Sequence, residues 1–259
     1  MFKFLFEKFK LPESDICSLD DAETTLRRRD IIIKKKFLKK LYIKWYNVIL
    51  KKISGLSEGK LLEIGSGGGF IKELNPGIIT SDILPLDHCD LVLSAEYLPF
   101  QNNELSAIIM IDVLHHIPDC LAFFKEAQRT LKNGGKIIMI EPANTLWSRF
   151  IYKNLHHESF DPKTKSWTFP SSGPLSGANI ALPWIIFERD IDEFMIRFPN
   201  LQLVNIHYHT PFRYLLSGGV SYRSFVPSRS FGTITFIEKL ISPLSKFLAM
   251  FQTIEVIKR

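Results

Sequence analysis

Cysteine is scarce in this 259-residue chain, which contains only Cys17, Cys89 and Cys120. Three cysteines so far apart exclude a disulfide framework and a CxxC metal knuckle. Long apolar runs are also missing, because no stretch approaches the roughly 18 residues of a membrane span. The start, MFKFLFEKFK, mixes basic and apolar residues and lacks the separate regions of a signal peptide. We therefore expect a protein of the cytoplasm.

Acidic residues are nearly absent from one segment. Residues 27–52 contain three Arg and eight Lys but the single acid Asp30, although the net charge of the chain is only +6. Within Lys34–Lys52 the apolar residues recur at spacings of one, three and four, which predicts an amphipathic helix. We interpret residues 1–57 as a basic helical segment that precedes a main domain at residues 58–259.

Three explanations for this basic helix are open. Its apolar face, with Phe37, Leu41 and Trp45, can pack over the main domain while the lysines face water. Alternatively, the helix lies on the inner face of an anionic membrane, where each basic side chain contributes about 1 kcal/mol. Nucleic acid is not expected as a partner, because the chain has no recognisable DNA- or RNA-binding module.

From residue 60 onward, short apolar runs alternate with helical patterns. The runs are LLEIG, IITSD, DLVLS, AIIMID and KIIMIE, and Leu201–His209 and Gln252–Lys258 also have strand patterns. Runs this apolar predict strands that are buried on both faces, as in a parallel sheet. Helices are predicted at Leu121–Leu131 and, with Asp190 as the N-cap, through Phe198. The alternation predicts an α/β class protein with a Rossmann-like, doubly wound, seven-stranded sheet.

Two stretches interrupt this alternation, at about residues 142–188 and 210–250. Loops above strand ends vary freely, so we expect these two insertions to form caps that select the substrate. Most of their aromatic residues are expected to form the caps' own small core. The arginines Arg213, Arg223 and Arg229 would suit a lipid or isoprenoid that carries phosphate or carboxylate.

A glycine-rich turn follows the first strand, in the sequence LLEIGSGGGF at residues 61–70. Glycine permits a close approach to the backbone, and a following helical segment would offer free N–H groups to a nucleotide-like ligand. Phe70 occupies the sixth position from Gly65, where the dinucleotide fingerprint requires Gly or Ala, so a nicotinamide cofactor is disfavoured. Asp82 ends the second strand, where it is either an acceptor for both ribose hydroxyls or a solvated turn residue.

Four segments in this order carry a resemblance: EIGSGGGF, TSDI, SAEYLPF and MIDVLHHIPD, followed by KNGGKIIMIEP. This region, roughly residues 58–142, resembles the class I S-adenosylmethionine-dependent methyltransferases, particularly the small-molecule and lipid methylating group that includes the ubiquinone and menaquinone enzymes. The resemblance implies S-adenosyl-L-methionine as the cofactor and a mostly parallel sheet with a final antiparallel strand. It also implies a set of cofactor-binding residues: Glu63, Gly65, Gly67, Gly69, Asp82, Ser94, Ala95, Glu96 and Asp112.

The resemblance assigns different parts of the cofactor to these residues. Glu63 would lie near the amino group of the methionine part, and Asp82 would bind the ribose. Ala95 and Glu96 would lie beside the adenine, and Asp112 would open the mouth of the active site. Ser94 departs from the family, which usually has Asp at this position, so a hydroxyl or a backbone carbonyl would have to replace a carboxylate there.

Histidines are the candidates for acid–base chemistry. His115 and His116 follow the fourth strand, so either can serve as a base near neutral pH, although packing or capping is the more common role of such residues. His156, His157 and Glu158 are adjacent and lack the spacing that places two imidazoles on one helix face. We therefore expect no metal site.

The leading hypothesis is an enzyme that methylates a small-molecule, lipid or saccharide acceptor. A second hypothesis is a non-catalytic protein that keeps the fold and acts as a binding or scaffold protein, which the departure at Ser94 leaves open. A nicotinamide oxidoreductase is the third, and Phe70 opposes it.

Overall fold

A computed structural model describes residues 8–12, 18, 20–156 and 158–259. Most of the MFKFLFEKFK start, Cys17 and His157 lie outside the described residues. The described helices are α1 (Ala22–Lys34), α2 (Lys36–Ile53), α3 (Cys120–Thr130), α4 (Leu146–Leu155), α5 (Leu182–Trp184), α6 (Ile191–Arg197), α7 (Arg213–Ser217), α8 (Phe231–Leu240) and α9 (Ser245–Leu248). The described residues also form short 3-10 helices at Ser66–Gly68, Ile71–Glu73, Leu114–His116, Ser228–Ser230 and Ser242–Leu244 and a π-helix at Ile185–Arg189.

A seven-stranded sheet forms the centre of the molecule. Its strands are β1 (Lys60–Ile64), β2 (Ile78–Asp82), β3 (Leu91–Val92), β4 (Leu105–Ile111), β5 (Leu131–Pro142), β6 (Leu201–His209) and β7 (Phe251–Lys258). Their order across the sheet is β3-β2-β1-β4-β5-β7-β6. The pairs from β3 to β5 are parallel, and β7 runs antiparallel to both β5 and β6. The predicted fold class, with its final antiparallel strand, is confirmed.

Strand β4 shows how the sheet separates two hydrophobic cores. Ile108 and Met110 belong to one core, and the alternate residues Ala107 and Ile109 belong to the other. This follows from the strand period of two, which directs successive side chains to opposite faces. Helices α3 and α6 contribute to the first core, and α2 and α4 to the second.

The basic helix α2 packs against the sheet. Phe37, Leu41 and Trp45 are all buried, so the apolar face that would enter a membrane is covered by the protein itself. Basic side chains of this segment also bind other parts of the chain: Lys35, which precedes α2, donates through Nζ to the Gly219 carbonyl at 2.6 Å, and Lys52 of α2 pairs with Glu255 at 2.6 Å. The structure therefore gives no support to membrane contact through this helix, and the proposed division at residue 57 stays a prediction.

No helix among the described residues combines the length with the apolar character that crossing a bilayer requires.

Two local predictions differ from the structure. The turn after β1 continues as two short 3-10 helices, not as a regular helix, so the expected α-helical N-terminus is missing from this described stretch. Asp190 precedes α6 but makes no side-chain cap. Its carboxylate instead accepts hydrogen bonds from Arg189 at 2.7 Å and from Trp167 Nε1 at 3.0 Å. A charged partner next to Asp190 thus outcompetes the helix N–H groups for the carboxylate.

Phe124 at the centre of the first core provides a test of this packing. Its ring is fully buried and lies 5.1–5.8 Å from the rings of Phe187, Phe194 and Phe198. We expect Phe124→Ala to lower the free energy of unfolding by about 3–5 kcal/mol, through lost burial and a residual cavity. Urea denaturation followed by circular dichroism measures this change. The same substitution at Phe236, whose side chain is 60% exposed on α8, is the control and should cost far less. Equal losses in both variants would contradict the described core.

Candidate active site

A cavity opens at the carboxyl ends of the parallel strands. Glu63 lies in β1, Asp82 ends β2 and Asp112 follows β4, so the topology brings these three acids to one edge of the sheet. Ligands of open α/β sheets bind at this edge. The nine residues predicted to bind a cofactor all line this cavity: Glu63, Gly65, Gly67, Gly69, Asp82, Ser94, Ala95, Glu96 and Asp112.

The glycine-rich turn passes too close to other groups for side chains to fit. Gly65 has φ 71° and ψ 42°, the left-handed conformation that glycine adopts at no steric cost. A Cβ atom on Gly65 would lie 2.5 Å from Cγ2 of Val113, and one on Gly67 would overlap Thr25 of α1. The turn is therefore held between the sheet and the N-terminal segment.

Asp82 is fixed by the same turn. Its Oδ2 accepts the backbone N–H of Gly67 at 2.9 Å, and its Oδ1 accepts that of Leu84 at 3.0 Å. Burial raises the pKa of Asp82 above its ordinary value, and these two backbone donors oppose the rise. The carboxylate thus lies in the cavity wall with its orientation set by the backbone.

Glu63 is a buried acid at the base of the turn. Burial raises its pKa to about 7, while hydrogen bonding by the Ser66 and Tyr46 side chains opposes this effect. Its Oε2 is buried and has no hydrogen-bond partner among the described residues. An acceptor that is buried without a donor is costly, so this oxygen marks a place where a ligand can donate.

The region predicted to hold an adenine combines apolar walls with hydrogen bonds inside the protein. Leu93, Ile117 and Pro118 contribute apolar surface to the cavity there. Ser94 Oγ accepts the N–H of Glu96 at 3.2 Å, and Glu96 Oε1 accepts the N–H of Asp119 at 2.9 Å. The hydroxyl at position 94 therefore braces the turn, a task different from the base recognition that the family assigns to its usual Asp.

At the other end of the cavity lies a network of histidines and acids. Glu141, at the end of β5, accepts hydrogen bonds from Val113 N at 2.9 Å, Leu114 N at 2.8 Å and His115 Nδ1 at 2.8 Å. On the opposite side of the ring, His115 Nε2 lies 3.5 Å from Glu158 Oε2. His115 is thus enclosed between two carboxylates, of which only Glu158 lines the cavity.

The two histidines differ in their surroundings. Desolvation lowers the pKa of His115, but the Glu141 and Glu158 carboxylates outweigh this effect and raise it well above its ordinary value. Desolvation and the neighbouring His115 charge lower the pKa of His116 to about 4. Only His116 lines the cavity, while His115 is 1% exposed and lies behind the wall. The catalytic role of either histidine stays a prediction, and the geometry gives a ligand access to His116 alone.

Asp112 combines backbone strain with an unusual environment. Its φ of 63° lies in the left-handed region, which is uncommon for a residue other than glycine and often occurs at functional sites. Burial raises its pKa to about 7, with further raising contributions from Glu141 and Glu158 and an opposing one from His115. Asp112 therefore enters the cavity as a carboxyl that titrates near neutral pH.

Three residues of the site were missed by sequence reasoning. Glu141 carried a visible signal, an acid at the end of an apolar strand, as at Asp82. Thr25 and Arg28 reach the cavity from α1, and no local pattern identifies them. Among the arginines of the second insertion that were expected to suit an anionic acceptor, Arg213 is buried in an ion pair with Glu238.

Comparisons with known proteins identify a methyltransferase domain in the chain. Residues 62–139 match the family model of a methyltransferase domain. A tRNA U34 carboxymethyltransferase of Nautilia profundicola is 27% identical over 117 residues, which span 38% of this chain and 38% of that protein. The whole relative is thus much longer than the matched region.

Two solved structures share the overall fold. Geranyl diphosphate C-methyltransferase from Streptomyces coelicolor A3(2) superposes with a TM-score of 0.50 at 14% identity, covering 97% of this chain and 92% of that one. A geranyl diphosphate methyltransferase in complex with S-adenosylmethionine gives a TM-score of 0.51 at 13% identity, covering 93% of each chain. Residues 62–139 therefore match a methyltransferase domain, and the sheet that contains them has the fold of these solved methyltransferases.

Proposed function

We propose that this protein transfers the methyl group of S-adenosylmethionine to a small-molecule acceptor that enters between its two insertions. The observation that carries the proposal is the cavity at the strand ends, whose wall combines the predicted cofactor residues with the polar pair His116 and Glu158. Such a cavity suits a two-substrate transfer, in which both reactants must be held in contact and away from water.

The residues present fit S-adenosylmethionine. The unpartnered Oε2 of Glu63 can accept a hydrogen bond from the ammonium of the methionine part. Arg28 lines the same cavity and can bind the carboxylate of that part in a bidentate manner. The glycines leave room for the ligand against the backbone, and Asp82 offers its carboxylate to the ribose. When bound, the cofactor supplies a methyl group on a sulfonium centre, which is already a good leaving group.

The task of the protein is then mainly to position the acceptor. Pro174 and Leu175 of the first insertion, and Tyr214 and Val220 of the second, complete the cavity wall above the strand ends. Holding two reactants in line can lower the activation free energy by about 7 to 11 kcal/mol. A general base at His116 remains part of the proposal for hydroxyl acceptors, because this imidazole is neutral above a pKa of about 4.

The acceptor that the cavity suits best is a small molecule with an apolar body. Aromatic and aliphatic side chains of both insertions line it, and the solved structures that share the fold act on geranyl diphosphate, a prenyl chain with an anionic head. A lipid-like or isoprenoid acceptor is therefore the favoured class.

A tRNA acceptor is the second candidate, and the similarity to the Nautilia profundicola enzyme favours it. Measuring S-adenosylhomocysteine formation with geranyl diphosphate, a quinol and bulk tRNA in parallel separates the two classes. Turnover with tRNA alone would contradict the small-molecule proposal.

Cofactor binding can be tested at Asp82. We expect micromolar binding of S-adenosylhomocysteine in calorimetry and no binding of NAD. Asp82→Asn should weaken the former by about 10- to 100-fold, because hydrogen bonds to a charged group contribute about 1.5–3 kcal/mol. Asp87→Asn, an exposed acid in the same loop, is the control and should bind as the wild type does. Thermal unfolding of both variants checks that the Gly67 turn remains folded.

The raised pKa of Glu63 predicts a pH-dependent affinity. Below about pH 7 this carboxyl is protonated in the free protein, and it must lose the proton before it can pair with the ligand ammonium. The dissociation constant of S-adenosylhomocysteine should therefore rise as the pH falls from 7.5 to 5.5, approaching about tenfold per pH unit.

Two variants test the source of this pH dependence. Glu63→Gln should bind weakly at every pH in this range, whereas the exposed Glu58→Gln should keep the wild-type profile. A profile in Glu63→Gln that matches the wild type would show that another group is responsible.

A further inference from the structure

Two adjacent histidines and a glutamate distant from them in sequence come together beside the cavity. The ligand atoms of His115, His116 and Glu158 all lie within 4.8 Å of one another. His115 Nε2 is 3.5 Å from Glu158 Oε2, and His116 Nε2 is 3.7 Å from Glu158 Oε1. Two imidazoles and a carboxylate form the donor set of many catalytic zinc sites and of non-haem iron sites.

The other ring nitrogens determine what faces Glu158. His115 Nδ1 lies 2.8 Å from Glu141 Oε2, and His116 Nδ1 lies 3.3 Å from the carbonyl oxygen of Gly177. Both partners are acceptors, so each Nδ1 carries the proton as donor. In the neutral tautomers, both Nε2 lone pairs therefore face the Glu158 carboxylate, so a cation bound between them would be held by all three groups.

The distances favour a metal ion over a shared proton. A charge-assisted hydrogen bond between an imidazolium and a carboxylate is about 2.7–2.9 Å long, as it is between His115 and Glu141. Ligand atoms placed about 2.0–2.1 Å from a tetrahedral zinc ion are separated from one another by about 3.3 Å. The separations of 3.5 and 3.7 Å are close to this value and too long for hydrogen bonds to Glu158.

The surroundings also match those of metal-binding histidines. A ligating histidine almost always donates its second ring N–H to a carboxylate or a backbone carbonyl, which fixes the ring and its tautomer. His115 has the first kind of partner and His116 the second. Glu141 is itself held by the N–H groups of Val113 and Leu114, so the support extends back to the sheet.

We propose that His115 Nε2, His116 Nε2 and Glu158 bind a divalent transition metal ion, Zn²⁺ in the first instance, at the acceptor end of the cavity. Imidazole donors favour zinc-like ions over Mg²⁺, which prefers oxygen ligands and keeps several waters. His116 and Glu158 line the cavity, so an ion held there faces the space available to an acceptor.

This site deepens the proposed methyltransferase function and rests on it for its role. Three protein ligands leave a coordination position open, as in catalytic zinc sites. An oxygen of the acceptor in that position would be oriented toward the cofactor end and made easier to deprotonate. A metal ion would thereby take over the role that the sequence suggested for a histidine base.

The test is direct metal binding by the full chain. Protein dialysed against chelator is titrated with Zn²⁺ by calorimetry, its metal content is measured after gel filtration, and Co²⁺ is used as a spectroscopic probe of the coordination geometry. We expect about one equivalent of Zn²⁺ per chain.

Substitutions locate the ion. His116→Gln and Glu158→Gln should abolish stoichiometric binding, and Glu141→Gln, which only positions His115, should weaken it by about 10- to 100-fold. His207→Gln removes an exposed imidazole on β6 and is the matched control, which should bind Zn²⁺ as the wild type does. Circular dichroism of each variant confirms its fold.

Each outcome is informative. Absence of Zn²⁺ binding, binding of Mg²⁺ alone, or equal binding by His116→Gln and His207→Gln would each overturn the metal proposal. Because binding of S-adenosylhomocysteine is measured on the same samples, a protein that binds this ligand without a metal ion would lose only the present inference. A protein that binds Zn²⁺ but not the adenosyl ligand would instead contradict the proposed function.

Discussion

The convergence of four carboxylates at one edge of the sheet is the constraint on which the site depends. Parallel strands end on the same side, so Glu63, Asp82, Asp112 and Glu141 are brought together there; Asp112 is half-buried and the other three are buried. Burying an acid is costly unless it is neutralised or hydrogen-bonded. Each acid meets this requirement differently: Asp82 and Glu141 accept backbone N–H groups, whereas burial raises the pKa of Glu63 and Asp112 to about 7.

The N-terminal segment completes the site from outside the sheet. Tyr46 of α2 accepts the N–H of Phe70 at 3.2 Å, and Thr25 of α1 packs against Gly67. Helix α2 covers the second face of the sheet with Leu41, Trp45 and Ile49, and Ile32 of α1 joins the same core. The basic character that first suggests a membrane or nucleic-acid surface thus accompanies a structural role, since Lys35 and Lys52 bind elsewhere in the protein.

The sheet and the cofactor end of the site were predictable because their signals are local. Apolar runs ending in a turn or an acid identify β1, β2, β4 and β5, and the fixed geometry of parallel strands then places their ends together. The His115, Glu141 and Glu158 network was not predictable in the same way. Glu158 reaches this network from an insertion that has no periodic pattern. In the sequence, Glu158 is associated only with its immediate neighbours His156 and His157. Histidines that approach one carboxylate from another part of the chain leave no spacing pattern to read.

The charge distribution in the cavity bears on how a cationic cofactor would be used. A sulfonium beside several ionised carboxylates would be stabilised before reaction, and only interactions that strengthen in the transition state accelerate a reaction. The protein limits this stabilisation of the sulfonium before reaction. The charge of Glu141 is compensated by His115 and by two backbone N–H groups, and the raised pKa of Asp112 makes it a weak acid. Under the proposed function, the negative charge that remains lies on Asp82 beside the ribose, on Glu63 once it pairs with the ligand ammonium, and on Glu158 beside the acceptor. Attraction would then hold the ends of the reacting pair while leaving the methyl group between them free to transfer.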